Sequence, residues 1–138
     1  MSFVLKFIEE GEHLHQDFKL RVDDSRKIAK TLAGFANTEG GRLLIGVKDN
    51  GKVVGCNTSE EYHMIDASAN MYCKPAINFD IQVWKVEYKS VLEINIPKSN
   101  SRPHFVEGIN EKGEISWDAY LRREDRIHKA SPVMVKVL

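Results

Sequence analysis

Cysteine is scarce in this chain. The two that occur, Cys56 and Cys73, form neither a CxxC nor a CxxH spacing. No disulfide framework is therefore written into the sequence, and both are expected as reduced, partly buried thiols. Net charge is missing as well: 20 lysines and arginines balance 20 aspartates and glutamates over 138 residues. A strongly basic chain would by itself announce a nucleic-acid binder, so any cationic surface here has to be local. Long apolar runs are also absent. The start, MSFVLKFIEEGEHLHQDFK, is broken by Lys6, Glu9 and Glu10 before it could serve as a signal-peptide core. No window approaches the roughly eighteen apolar residues of a membrane helix. These absences predict a soluble, cytoplasmic protein with no membrane partner. Repeats and low-complexity stretches are lacking too, and a 42% hydrophobic content suits one core, so a single domain over residues 1–138 is expected.

What is present is a series of short periodic segments. HLHQDFKL, residues 13–20, alternates Leu14, Phe18 and Leu20 against His13, His15, Asp17 and Lys19, with Gln16 as the exception, and predicts a half-buried strand. Asp24 or Ser25 can cap a helix carrying Ile28, Ala29, Leu32, Phe35 and Ala36 at spacings of three and four as far as about Asn37. Gly40 and Gly41 end it. Leu43, Ile45 and Val47 then alternate into Asn50-Gly51, which predicts a hairpin of two antiparallel strands. A second helix is expected from Ser59 to before Pro75. Residues 77–97 predict two strands turning at Lys89-Ser90, and their shifting apolar phase predicts a bulge or strong twist. KSNSRPHFVEGINEKGE is expected as an exposed loop. ISWDAYLRR follows as a strand with Ile115, Trp117, Ala119 and Leu121 inward and Ser116, Asp118, Tyr120 and Arg122 outward. The last residues predict a short helix or a terminal strand.

The glycines of NTEGGRLLIGVKDNGKVVG decide one functional class. A phosphate cradle places glycines after a strand and before a helix, where free N–H groups and the positive dipole end face the anion. Here the order is reversed: Gly40 and Gly41 follow a helix C-terminus, so a left-handed cap is the expected role. Together with the absence of GxxxxGK[ST], this argues against ATP binding.

The succession DFK, IAKTLAGFANTEGGRLLIGVKDNGKVVG, IPKSNSRPHF and DAYLRREDRIHKAS, residues 12–131, resembles the AlbA-like (AlbA_2) domain of the Schlafen group, also called divergent AAA-4. That resemblance implies an α+β fold, mainly antiparallel, here about six strands with two or three helices. It also implies nucleic-acid binding, as in bacterial proteins described as DNA-binding transcriptional regulators. Many relatives carry a winged helix-turn-helix after this domain, and a chain ending at Leu138 has no room for one. The expectation is a module acting alone, as a homodimer or with a separately encoded partner. Members that cut RNA are similar in having three acids, which the resemblance places at Glu12, Asp17 and Asp49. Aspartate stands at position 17 where glutamate is more frequent. Convergent carboxylates suit magnesium or manganese, and Lys19, on the strand face of Asp17, could sit beside a scissile phosphate. Each acid has a structural alternative: Asp49 as a turn former, Glu12 solvated in EEGEH, Asp17 paired with lysine.

The residues themselves offer a binding surface. Arg122, Arg123, Arg126 and Lys129 cluster in LRREDRIHK, and Lys98 and Arg102 in KSNSR, both beside predicted strand ends. Such side chains could hold DNA or RNA phosphates without reading bases, and Tyr120 beside Arg122 could stack on a base. Glu124 and Asp125 could equally neutralise the run into a solvated terminus. His13 and His15, at i and i+2, are candidate zinc or copper ligands or plain edge histidines, and His63, His104 and His128 carry no signal. No cofactor is expected for binding; magnesium or manganese is expected only for the nuclease.

Overall fold

The apolar spacing of residues 28–36 does produce a helix, and the rest of the chain is arranged around it. The computed structural model, which describes residues 3–138, places this helix, α2, at Ser25–Asn37. The Asp24 carboxylate caps it by accepting from the amides of Arg26 and Lys27 at 3.0 and 3.1 Å. Before it come α1 (Phe3–Glu10) and β1 (Gln16–Lys19). After it come β2 (Gly41–Ile45), α3 (Thr58–Met71), β3 (Cys73–Lys74), β4 (Asp80–Val86) and β5 (Lys89–Ile96). The chain closes with β6 (Phe105–Ile109), β7 (Ile115–Arg123), β8 (Arg126–Lys129) and α4 (Pro132–Val137).

The result is α+β, with eight strands among the described residues, in two four-stranded sheets rather than about six in one. The first sheet has the order β1-β2-β5-β4; β1 and β2 run parallel across the α2 crossover and the other pairs are antiparallel. It is covered on both faces. Leu43, Ile45, Leu92 and Ile94 pack in the main core with α2 and α3, while Phe18, Leu44 and Val91 pack beneath α1 with Val4. This explains why RLLIGV is apolar at successive positions. Each fully buried side chain such as Leu32 or Phe35 stabilises the fold by about 1.5–3 kcal/mol.

The second sheet, β3-β6-β7-β8, lies along α2. The β7–β8 hairpin crosses the helix at Gly34, where an added Cβ would come 2.6 Å from Ile127 Cδ1 and 3.7 Å from the Arg122 amide nitrogen. A side chain there would require Ile127 to move aside, while the backbone of β7 stays at ordinary contact distance. The strand β6 lies inside the segment expected as a loop, because its five residues, FVEGI, are too few to stand out from polar surroundings.

Several expectations change in detail. The Asn50-Gly51 turn forms, closed by Gly51 N–H to Lys48 O at 2.8 Å, but its return arm is one bridge, Val47 to Val53, not a strand. Gly46, at φ 102°, reorients the chain first and sends Val47 to the α1 side. The β4–β5 turn is at Glu87-Tyr88, and the ladder from Asp80–Asn95 to Val86–Lys89 runs without a bulge. In the first strand, Gln16 is buried and Leu20 is 43% exposed. The Gln16 amide donates to Phe7 O and Gly11 O, and its oxygen accepts from Arg42. The side chain thus fastens α1 to β1 instead of breaking the pattern. Cys73 is buried, with its thiol pushed up to about 12 by desolvation, and Cys56 is half-buried; both are free. Among the described residues, no helix is long and apolar enough to cross a membrane.

Candidate nucleic-acid interface

The end of β1, the N-terminal half of α2 and the β7–β8 hairpin enclose an open cleft of about 750 Å³. It gathers residues that the sequence keeps far apart. Glu12, Asp17, Lys19 and Asp49 line it, and so do Tyr120 and Arg126. The outer face of α2 adds Arg26, Lys27 and Lys30, which sequence reasoning missed. Their signal was the polar side of an amphipathic helix, and that side is ordinarily just solvated.

Two of the acids form a pair. The Phe18 amide donates to both Glu12 Oε2 (3.2 Å) and Asp17 Oδ1 (3.0 Å). Burial, with a hydrogen bond to Asp17, pushes the Glu12 carboxyl up from 4.5 to about 7. Asp17 is flanked by cations, with Lys19 Nζ at 3.8 Å and Arg122 Nη1 at 3.7 Å. Asp49 is exposed on the 48–51 turn. The side chain that bonds this turn's backbone is Asn50, accepting from the Lys52 amide at 2.9 Å, so Asp49 is not consumed as the turn former. As the side chains lie, no three His, Cys, Asp or Glu groups among the described residues are close enough to hold a metal ion together. A closed three-carboxylate cage is therefore not formed. The Glu12–Asp17 pair suits the other magnesium mode, in which one or two carboxylates act with substrate phosphates and water.

Arg122 requires a correction. It does not project outward; it is 3% exposed. Its guanidinium donates to His13 O (2.8 Å), Leu14 O (3.0 Å) and Gln16 O (3.0 Å), and it lies 4.4 Å from the centroid of the Phe35 ring. The cause is the approach of β7 to α2 and the β1 segment, which turns the 120/122 face inward. That leaves Arg122 no surface for a phosphate. Tyr120 on the same face is half-buried, with Lys30 Nζ 5.2 Å from its ring centroid.

The other cations are dispersed. Arg123 and Arg126 face each other across the hairpin tip and are exposed, but only Arg126 lines the cleft. Lys129 pairs with Asp118 at 3.3 Å and Lys98 with Glu39 at 3.5 Å. Lys98 and half-buried Arg102 lie outside the cleft lining. His13 donates from Nε2 to Glu10 at 2.9 Å and accepts the His15 amide at Nδ1. Both its ring nitrogens are engaged without His15's ring, so the two histidines are not arranged as a metal pair.

The glycine question closes at the other end of α2. Gly40 has φ 73°, its amide donates to Phe35 O at 2.7 Å, and an added Cβ would come 2.7 Å from Ile96 O. It ends the helix and admits the β5 backbone.

Residues 12–131 match the family described as Schlafen, AlbA_2. The chain belongs to that family. Its fold is similar to the N-terminal domain of a RecG-related protein from Nitrosomonas europaea, described in relation to ATP-dependent DNA helicases. That likeness has a TM-score of 0.64 and 20% identity, over 89% of each chain. It is also similar to the DIP2311 protein from Corynebacterium diphtheriae, with a TM-score of 0.55 and 19% identity. There it covers 85% of this chain but only 22% of the other. At these identities the solved structures show the AlbA_2 fold and nothing finer.

Proposed function

We propose that this Schlafen AlbA_2 domain binds nucleic acid, holding the sugar-phosphate backbone in the cleft with Lys27, Lys30 and Arg126. The carrying observation is that cations from α2 and from the β7–β8 hairpin, nearly 100 residues apart in sequence, line one concave surface beside Tyr120. Arg26 is committed elsewhere, to Glu107 at 3.1 Å and the Tyr72 ring. Lys19 faces Asp17. The family and the helicase-related description of the Nitrosomonas neighbour support the same reading. With as many acids as bases in the chain, affinity is weak, salt-sensitive and largely independent of sequence, in the micromolar range or poorer. A DNA-bound regulatory role would use this backbone contact. Fluorescence anisotropy against salt tests it: each of Lys27→Ala, Lys30→Ala and Arg126→Ala weakens binding and lowers the salt slope by about 0.7–0.9. Wild-type affinity in the triple variant would overturn it.

The Glu12–Asp17 pair favours a second reading, a magnesium- or manganese-dependent ribonuclease that positions a phosphodiester between the carboxylates and Lys19. Incubation of tRNA and single-stranded RNA with manganese separates the two. A nuclease loses cleavage in Glu12→Gln and Asp17→Asn while backbone binding survives, and an absence of cleavage by the unaltered protein removes this reading.

A further inference from the structure

The turn between β4 and β5 consists of Glu87 and Tyr88, both left-handed, with φ of 48° and 70°. Two-residue hairpin turns of this hand ordinarily use Asn, Asp or Gly, because a Cβ is strained at positive φ. In the 48–51 turn the left-handed residue is a glycine, Gly51, with φ 89°. Tyr88 is also fully exposed, at 103%. A large ring held at a strained backbone position and gaining nothing from burial points to a role outside the fold.

Its surroundings are cationic. Lys85 and Lys89 flank the tip, both exposed. The backbone beside Lys89 meets the 53–56 segment: Cys56 N–H donates to Ser90 O at 2.9 Å, and Lys89 Nζ reaches Val53 O at 3.4 Å. In the turn that leads into that segment, Lys48 and Lys52 face solvent, and Asp49 between them lines the cleft. The lysine border thus runs from the tip to the turn whose Asp49 lines the cleft, with the acids Glu87 and Asp49 set among the lysines.

We infer that the β4–β5 tip is a stacking platform for an unpaired base. On this assignment a single strand lays its phosphates along Lys89, Lys52 and Lys48 towards the cleft. The assignment rests on the nucleic-acid reading of the cleft. A duplex hides its base faces, so only an unpaired nucleotide can cover the Tyr88 ring. The ring's face is the same for RNA and DNA bases, and parallel titrations with each distinguish the source.

The test is a set of anisotropy titrations with single-stranded RNA, single-stranded DNA and duplex DNA against Tyr88→Gly, Tyr88→Phe and Tyr88→Trp. Glycine suits the left-handed turn, so Tyr88→Gly removes the ring without unfolding the hairpin, and a thermal melt checks this. Roughly fivefold or greater loss of single-strand affinity is expected in Tyr88→Gly, with duplex affinity unchanged and Tyr88→Phe restored. Tyr88→Trp fluorescence is quenched on binding. Undiminished single-strand affinity in Tyr88→Gly, or equal loss for duplex and single strand, overturns the platform while leaving the cleft reading intact. No binding of any oligonucleotide at low salt overturns both.

Discussion

Arg122 and Arg126 stand four residues apart on one hairpin and have opposite environments. The first is sealed between β7, the Phe35 ring and three carbonyls of the 13–16 segment; the second is exposed in the cleft. One run of positive charge in the sequence thus divides into a structural clasp and a candidate ligand contact. What divides it is strand parity combined with crossing: the face of β7 carrying residues 120 and 122 meets α2 and β1. A buried guanidinium is tolerable here because its Nε and Nη2 donate to three carbonyls and Asp17, 3.7 Å from Nη1, balances its charge. An exposed one needs neither condition and stays available to phosphate.

The comparison breaks most sharply at Arg122. Arg122→Ala leaves three carbonyls and the Asp17 carboxylate without their cation, so a loss of about 3–5 kcal/mol in urea unfolding is expected. Arg122→Lys recovers only part, because one ammonium cannot span the same carbonyls. A stable Arg122→Ala would show that the clasp is dispensable. The next effect is the pH dependence of the acid pair. Because the folded-state carboxyl of Glu12 sits near 7 against 4.5 when unfolded, the native protein holds a proton that the unfolded chain has released. Stability therefore falls as pH rises from about 4.5 to 7. Glu12→Gln flattens that slope, by about 1 kcal/mol once solvent screening is allowed for, as read from urea midpoints across the window. Arg126→Ala is the smallest, changing unfolding free energy by no more than about 0.5 kcal/mol while weakening oligonucleotide binding. A large stability loss there would mean that the two arginines are not so different after all.

Much of the fold was legible locally. The helix α2, its Asp24 cap, α3 and the β4–β5 hairpin follow from spacing and turn chemistry, which act within a few residues. The second sheet was less so: β3 is two residues held by the distant β6, and β6 and β8, though they pair with the neighbouring β7, are too short and polar to stand out by their own patterns. Asn37 and His104 make the point well. Asn37 looked like a helix end, and His104 had no signal. Both are buried, and the Asn37 amide donates to His104 O and Tyr120 O while its oxygen accepts the His104 amide. The His104 ring is held between Pro75 O and Ser99 Oγ. Polar residues satisfied across 67 and 83 positions leave no periodic trace. In the site, the acids were found through family likeness and Arg126 through charge. Lys27 and Lys30 were passed over because the outward face of a helix says nothing of what stands opposite it.

The reach of the Arg122 side chain over more than 100 positions has a bearing on how the molecule is made. As the chain leaves the ribosome, the segment bearing Glu12 and Asp17 emerges first and must wait for β7 before its carbonyls are gathered in. Until then the acidic pair lacks its wall and has Lys19 but not Arg122 as counter-charge. Any fragment cut short of Leu121 would carry Glu12, Asp17 and Asp49 and still lack the wall that completes the cleft.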